Sequence, residues 1–307
     1  MNVLITGSSG QIGTNLALKL LDRGDRVVGV DKRDNTWTRR IETVRLDLTK
    51  VAPADLPRGP FDIVVHLAAN AKVFALVENP EGAMDNISML FTVLEYARRQ
   101  KLPMVFASSR EVYGDIHRHV THEAAADFVV AESPYSASKI AGEALIYSYA
   151  QCYDLPFLVF RYSNVYGRYD NDIDRLERVI PLFINRIARE QPIVVYGKEK
   201  VLDFTYVDDC VAGTLAGIDA LVQRRVVGQT INLAQGQGNT LLDVVNLISL
   251  TLQKKPAVRY ESTRAGEVAR YVADIDKARS LLGYEPQVPL SSGLPLAIEW
   301  GKSFRSN

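Results

Sequence analysis

The chain has 307 residues, enough for one large α/β unit or two lobes sharing a core, and its 36 basic side chains are balanced by 36 acidic ones. A formal charge of zero lacks the basic excess that neutralises a run of phosphates, which excludes nucleic acid as the main partner. Apolar residues at 47% and charged residues at 23% exclude a disordered or fibrous chain, and no run approaches a membrane span.

In chain order, residues 2–6 (NVLIT) are an apolar run ending in Gly7, Ser8, Ser9, Gly10, Gln11, Ile12 and Gly13, followed by Leu16, Leu18, Leu20 and Leu21. This pattern predicts strand, glycine turn and helix, with no leader peptide, so a cytoplasmic protein with no membrane partner is expected. Glycines at 7, 10 and 13 let backbone approach a pyrophosphate at a helix N-terminus, where unpaired N–H groups favour an anion. An ordinary βα turn would read the same. A second strand over 26–30 ends in Asp31, 18 residues beyond Gly13. A carboxylate there accepts hydrogen bonds from ribose hydroxyls and repels a 2′-phosphate, which argues for NAD over NADP, a preference that Lys32 and Arg33 would soften.

Strands over 43–46, ending in Asp47, and 62–67 follow, then a helix near 84–99, a strand over 104–107, a helix from about 136 to 153 and a strand over 157–160. Apolar strands alternating with helices predict α/β class and a doubly wound parallel sheet of six or seven strands. His117, His119 and His122 cluster in a polar loop without a carboxylate pair, and with Cys152 and Cys210 far apart no metal site or disulfide framework is expected.

Ser108 and Ser109 end the fifth strand, where a hydroxyl can donate to a substrate oxygen or simply cap a turn. Tyr135 and Lys139 stand four apart at the start of a helix, on one face. An ammonium beside a phenol favours phenolate, a base usable at neutral pH. Composition predicts about half of such a pair by chance, and the chain holds two. The other, Tyr196 and Lys200, spans Gly197 in a predicted turn and serves as the comparison. Beyond Arg161 the alternation breaks into strands over 193–196, 203–207, 230–233 and 257–261, with helices over 179–189, 208–221, 241–252 and 276–281. These predict a smaller lobe on the carboxyl edge of the sheet, where ligands bind in open α/β folds.

TGSSGQIG, Asp31, HLAA (66–69), SSREVYG (108–114), YSASK (135–139), RYSNVYG (161–167), DFTYVDD (203–209) and RAGE (264–267) occur in order. Together they resemble the extended short-chain dehydrogenase/reductases, in the nucleotide-sugar epimerase/dehydratase branch typified by UDP-glucose 4-epimerases. The resemblance implies an NAD-binding Rossmann domain over 1–165, with a return segment near 203–220, and a mainly substrate-binding lobe over 166–307. It implies that Gly7, Gly10, Gln11, Ile12, Gly13, Asp31, Asp47, Leu48, Ala68 and Asn86 contact NAD. Ser109 then takes the place of the catalytic Ser/Thr and holds substrate, Tyr135 that of the base, and Lys139 that of its partner and nicotinamide-ribose ligand. Asn164 and Arg264 take those of the substrate-phosphate contacts. A homodimer through the helices near 84–99 and 136–153 is also implied.

The chain departs from the family twice. Leu202 stands where the family has a phosphate-binding Arg, which puts more weight on Arg264, with Arg168, Arg175 or Arg270 as substitutes. Arg110 and Glu111 follow the catalytic serine, where sugar 4,6-dehydratases have Asp and Glu. The leading expectation is NAD-dependent 4-epimerisation of a nucleotide sugar, with UDP as the nucleotide, through transient hydride transfer and a 4-keto sugar. A dehydratase or a sugar-acid decarboxylase using Glu111 is the alternative, and a non-catalytic NAD-binding regulator on the same fold gives no reason for Ser109, Tyr135 and Lys139 to occur together.

Overall fold

Six parallel strands come from residues 2–162: β1 (Asn2–Thr6), β2 (Arg26–Asp31), β3 (Glu42–Arg45), β4 (Ile63–His66), β5 (Met104–Ser109) and β6 (Phe157–Tyr162). The structure is a computed structural model that describes residues 1–113, 131–170 and 178–305. Later strands are β7 (Asn164–Tyr166), β8 (Ile193–Tyr196), β9 (Val201–Tyr206), β10 (Gln229–Leu233), β11 (Gly238–Thr240) and β12 (Val258–Glu261). The main sheet has the order β10-β6-β5-β4-β1-β2-β3, so strand order reverses between β1 and β4. That reversal opens a crevice at the carboxyl edge.

The helices are α1 (Gln11–Asp22), α2 (Val73–Glu78), α3 (Glu81–Gln100), α4 (Pro134–Tyr153), α5 (Val179–Ala188), α6 (Val207–Val222), α7 (Leu241–Leu252), α8 (Asp276–Leu282) and α9 (Leu290–Arg305). Alternate strand residues face opposite layers. Val3, Ile5, Leu158 and Phe160 share a core with Leu16 and Leu20 of α1 and Ile218 and Leu221 of α6. Leu4, Val64, Met104 and Val159 share the other with Leu90, Val93 and Leu94 of α3 and Ile146 of α4. Each of these fully buried side chains is worth about 2 kcal/mol of apolar transfer, and burial on both faces explains why the strands read as continuous apolar runs.

The seventh strand is β10, which pairs parallel with β6 in the register Gln229↔Leu158 to Leu233↔Tyr162. The chain therefore returns to the main sheet beyond the segment expected near 203–220, through α6 and then β10. Sequence pattern alone places 230–233 with the smaller lobe, because an edge strand's partner is set by a distant segment. Helices α2 and α9 are unexpected. The first has six residues, and the second carries Pro295 inside it, a residue that usually ends helices. Among the described residues no helix is long and apolar enough to cross a membrane, and no group of three His, Cys, Asp or Glu is placed to hold a metal. His117, His119, His122 and Arg175 lie outside the described residues.

Candidate active site

The glycine turn packs against the reversal point of the sheet. Gly7 has φ +75°, and a Cβ there would sit 2.7 Å from the Ala68 nitrogen beyond β4; a Cβ on Gly13 would collide with the Gly7 carbonyl. Only glycine lets the turn, α1 and the end of β4 come this close. Gly10 is the N-cap of α1, which has no side-chain cap and no acid in its first turn. Its leading N–H groups and dipole are left for an anion. Gln11 is buried and its Oε1 accepts from Arg178 Nη1 at 2.8 Å, while Ile12 packs partly buried against the core. Asp31 lies across the turn, accepting from the Ser9 and Arg33 N–H groups at 3.0 Å each. An open helix end flanked by a strand-end carboxylate fits a dinucleotide.

The other expected cofactor contacts follow the carboxyl ends of β3 and β4 or lie on α3. The Ala68 N–H donates to Thr6 Oγ1 at 3.4 Å. Asp47 folds onto Thr49, whose hydroxyl (2.7 Å) and N–H (3.1 Å) hold its carboxyl below the usual range. Leu48 is buried. Asn86 bridges three segments: its Oδ1 accepts from the Asn70 N–H at 2.7 Å, and its Nδ2 donates to the Asn70 carbonyl at 3.2 Å and to Ser138 Oγ at 3.1 Å. It ties the loop after β4 to α3 and α4.

Helix α4 starts at Pro134, behind a capping box in which Ser133 Oγ accepts from the Ser136 N–H at 3.1 Å and Ser136 Oγ from the Ser133 N–H at 2.9 Å. Tyr135 thus lies within the first turn. Gly142 lets the helix settle on β5, since a Cβ there would meet the Phe106 ring at 2.7 Å. This approach brings Lys139 Nζ 2.9 Å from the Ala107 carbonyl and 5.7 Å from the centre of the Tyr135 ring. The Ser109 hydroxyl lies close enough to the Tyr135 phenol to favour its ionised form, so hydroxyl, phenol and ammonium meet at the carboxyl end of β5.

Burial pushes the Tyr135 phenol up to about 12. The Ser109 hydroxyl and the Arg178 and Arg110 charges oppose this, while the Glu111 carboxylate adds to it. The phenol shifted downward by its ammonium neighbour, as the spacing suggests, is therefore not what the chain alone produces. Desolvation outweighs a cation separated by 5.7 Å from the ring centre. Burial also lowers Lys139 to about 8, against the Glu143 charge, and His66 beside it to about 3.

Beneath these groups lies a buried network that sequence reasoning missed. Glu143 accepts from Ser108 Oγ at 2.5 Å, Arg161 Nε at 3.0 Å and Arg161 Nη2 at 2.7 Å. It ties α4 to β5 and β6 directly under Lys139. Its position four residues after Lys139, on the same helical face, was the available signal.

Arg110 and Glu111 form a short 3-10 turn after β5. Arg110 Nη2 pairs with Glu111 Oε1 at 2.9 Å and donates to Asn164 Oδ1 at 3.1 Å. Glu111 is buried, which raises its pKa, and its Oε2 has no hydrogen-bond partner among the described residues. Asn164 Nδ2 donates to the Asp203 carbonyl at 2.9 Å.

Residues 3–234 match the family model described as the NAD dependent epimerase/dehydratase family, which spans more than half of the chain. The chain belongs to this family.

An uncharacterized UDP-glucose epimerase of Bacillus subtilis (strain 168) is 30% identical, with 98% of each chain covered. Among solved structures, the UDP-glucose 4-epimerase of Thermotoga maritima with UDP-glucose is similar at a TM-score of 0.91 and 27% identity, covering 99% of this chain and 100% of that one. The UDP-glucuronic acid 4-epimerase of Bacillus cereus, in complex with UDP-glucuronic acid and NAD, is similar at 0.89 and 27%, with the same coverage.

Within this epimerase/dehydratase frame, the Leu202 side chain is buried in the core and offers nothing to a phosphate. Of the three substitutes, Arg168 is ion-paired with Asp208 and Arg270 is exposed beside Val201, where the two residues form an isolated bridge. Arg264 lies against the rings of Tyr196 and Phe74. Asp203, which opens the DFTYVDD motif, is buried and accepts from the backbone N–H groups of Gln235 (3.0 Å), Gly236 (2.9 Å) and Ala273 (3.3 Å). It braces the loops around the site.

Proposed function

We propose that this chain is an NAD-dependent epimerase acting at carbon 4 of a UDP-sugar. The observation that carries the reading is the meeting of Ser109, Tyr135 and Lys139 at the sheet edge, beside a helix N-terminus open to an anion. Residues 7–13 would hold the pyrophosphate of NAD, with Asp31, Asp47, Leu48, Ala68 and Asn86 around its adenosine and nicotinamide halves. Bound NAD supplies the acceptor that takes a hydride from carbon 4 and later returns it.

The chain's own groups handle the proton. Tyr135 takes it from the 4-hydroxyl, Ser109 holds that oxygen in place, and Lys139 keeps positive charge near the phenol and contacts the nicotinamide ribose. Asn164 and Arg264 bind the diphosphate. Firm diphosphate contacts with few sugar contacts let the flat 4-keto sugar turn over, so that hydrogen returns to its other face. The cysteines are free, as a reducing cytoplasm would keep them.

One observation favours a second reading. Glu111 is buried, its pKa is raised and one oxygen has no partner among the described residues, which suits a proton-transfer group in dehydration or decarboxylation. Its pairing with Arg110 works against this. Incubation with UDP-glucose, UDP-galactose, the glucuronate pair and the N-acetyl pair separates the two readings. One pair should interconvert without change of mass. A product lighter by water or carbon dioxide selects the second reading, and no conversion of any pair sinks both.

We further propose a homodimer. On α3, Met84 is 65% and Phe91 51% exposed, two turns apart on one face. The outer face of the adjoining α4 carries Ala137, Ala144 and Ser148, all exposed. Large side chains beside a small-residue face suit a second copy of the same helix pair, packed as a four-helix bundle. Light scattering at micromolar concentration should give twice the chain mass, and a monomer would contradict the proposal.

A further inference from the structure

Tyr196 and Lys200, the comparison pair with the spacing of Tyr135 and Lys139, are both engaged by one loop. Tyr196 ends β8, Gly197 turns the chain at φ +77°, and Lys200 precedes β9. Strand β12 pairs in parallel with β8 from Val258↔Ile193 to Glu261↔Tyr196. Eight residues after Glu261, the Ala269 carbonyl accepts from the Val201 N–H at 3.0 Å, and the Tyr271 N–H donates to the Val201 carbonyl at 2.9 Å. The loop over 262–268 is thus pinned at both ends to the segment over 193–201. Lys200, buried, pairs with Glu267 inside it.

Arg264 is carried by that loop. Its guanidinium carbon is 3.8 Å from the centre of the Tyr196 ring and 5.0 Å from that of Phe74 on α2. Its side chain makes no hydrogen bond or ion pair with the described residues. A guanidinium lying on an aromatic face keeps its N–H donors in its own plane, directed sideways and unspent. Such a fork matches two oxygens of a diphosphate. Since Leu202 is buried in the core, the orientation of this one cation matters more.

We propose that Tyr196 and Phe74 are positioning residues, which hold the Arg264 guanidinium edge-out for the diphosphate of the nucleotide sugar. The inference rests on the reading of the site as a nucleotide-sugar site. The rings touch the cation rather than the reacting atoms, so they act on binding and not on proton transfer.

Calorimetric titration of the NAD-loaded protein with UDP tests this without turnover. Tyr196→Ala should weaken UDP binding about tenfold and Phe74→Ala about threefold, whereas Tyr196→Phe, which keeps the ring, should stay within about twofold of the parent. Bound NAD should be unchanged in all three. In an Arg264→Ala background, Tyr196→Ala should cost nothing further, because the cation it positions is gone. A loss that persists in that background would show general damage to the loop and overturn the inference. So would a parent that binds UDP while Tyr196→Ala and Phe74→Ala bind it equally well. A parent that binds no UDP overturns the nucleotide-sugar reading, and this inference with it.

Discussion

Tyr135→Phe lowers turnover at least ~100-fold, the lower range for loss of a general base, while the purified protein keeps its NAD. The phenol is buried beside the Ser109 hydroxyl, and it is the group to which the leading reading gives the sugar hydroxyl proton. Phenylalanine fills the same space, so cofactor contacts along the glycine turn stay intact. The pH profile gives a second readout. Burial sets the phenol at about 12 in the chain alone, so the phenolate fraction is small at neutral pH and grows as pH rises. The kcat/KM of the parent should therefore climb between about pH 6 and pH 8 and level off above that as Lys139, held at about 8, loses its proton, and the residual activity of Tyr135→Phe should not climb. An active Tyr135→Phe enzyme, or a variant with the parent's rising profile, would show that another group takes the proton.

Lys139→Met abolishes activity and strips the cofactor together. The ammonium has two tasks in the proposed mechanism, to hold positive charge beside the phenol and to bind the nicotinamide ribose. The Ala107 carbonyl at 2.9 Å fixes it at the end of β5. Burial lowers its pKa to about 8, and the Glu143 charge limits the fall, so at neutral pH it remains mostly protonated. Methionine matches its length but carries neither charge nor donor. The absorbance of bound cofactor after gel filtration, read beside turnover and far-UV circular dichroism, checks the outcome. A folded Lys139→Met protein that retains NAD would confine the lysine to the phenol, and Ser109→Ala, which loses activity with NAD kept, is the matching contrast.

The sequence by itself determined what depends on short spacing. The run over 2–6, the glycines at 7, 10 and 13 and the acid at Asp31 specify strand, turn, helix and strand end, because backbone sterics and alternation act within a few residues. Tyr135 and Lys139 share a helical face by spacing alone. Tertiary structure decided whatever depends on a partner far along the chain. It made 229–233 the seventh strand of the main sheet, set Asn86 against Asn70, and placed Arg110 on Asn164. It also gave the two Tyr-x3-Lys pairs different fates. Tyr135 is buried against Ser109, while Tyr196 lies under Arg264, 68 residues further on. Spacing cannot separate them, because the burial and neighbouring charges that set a side chain's chemistry come from segments that only folding brings together.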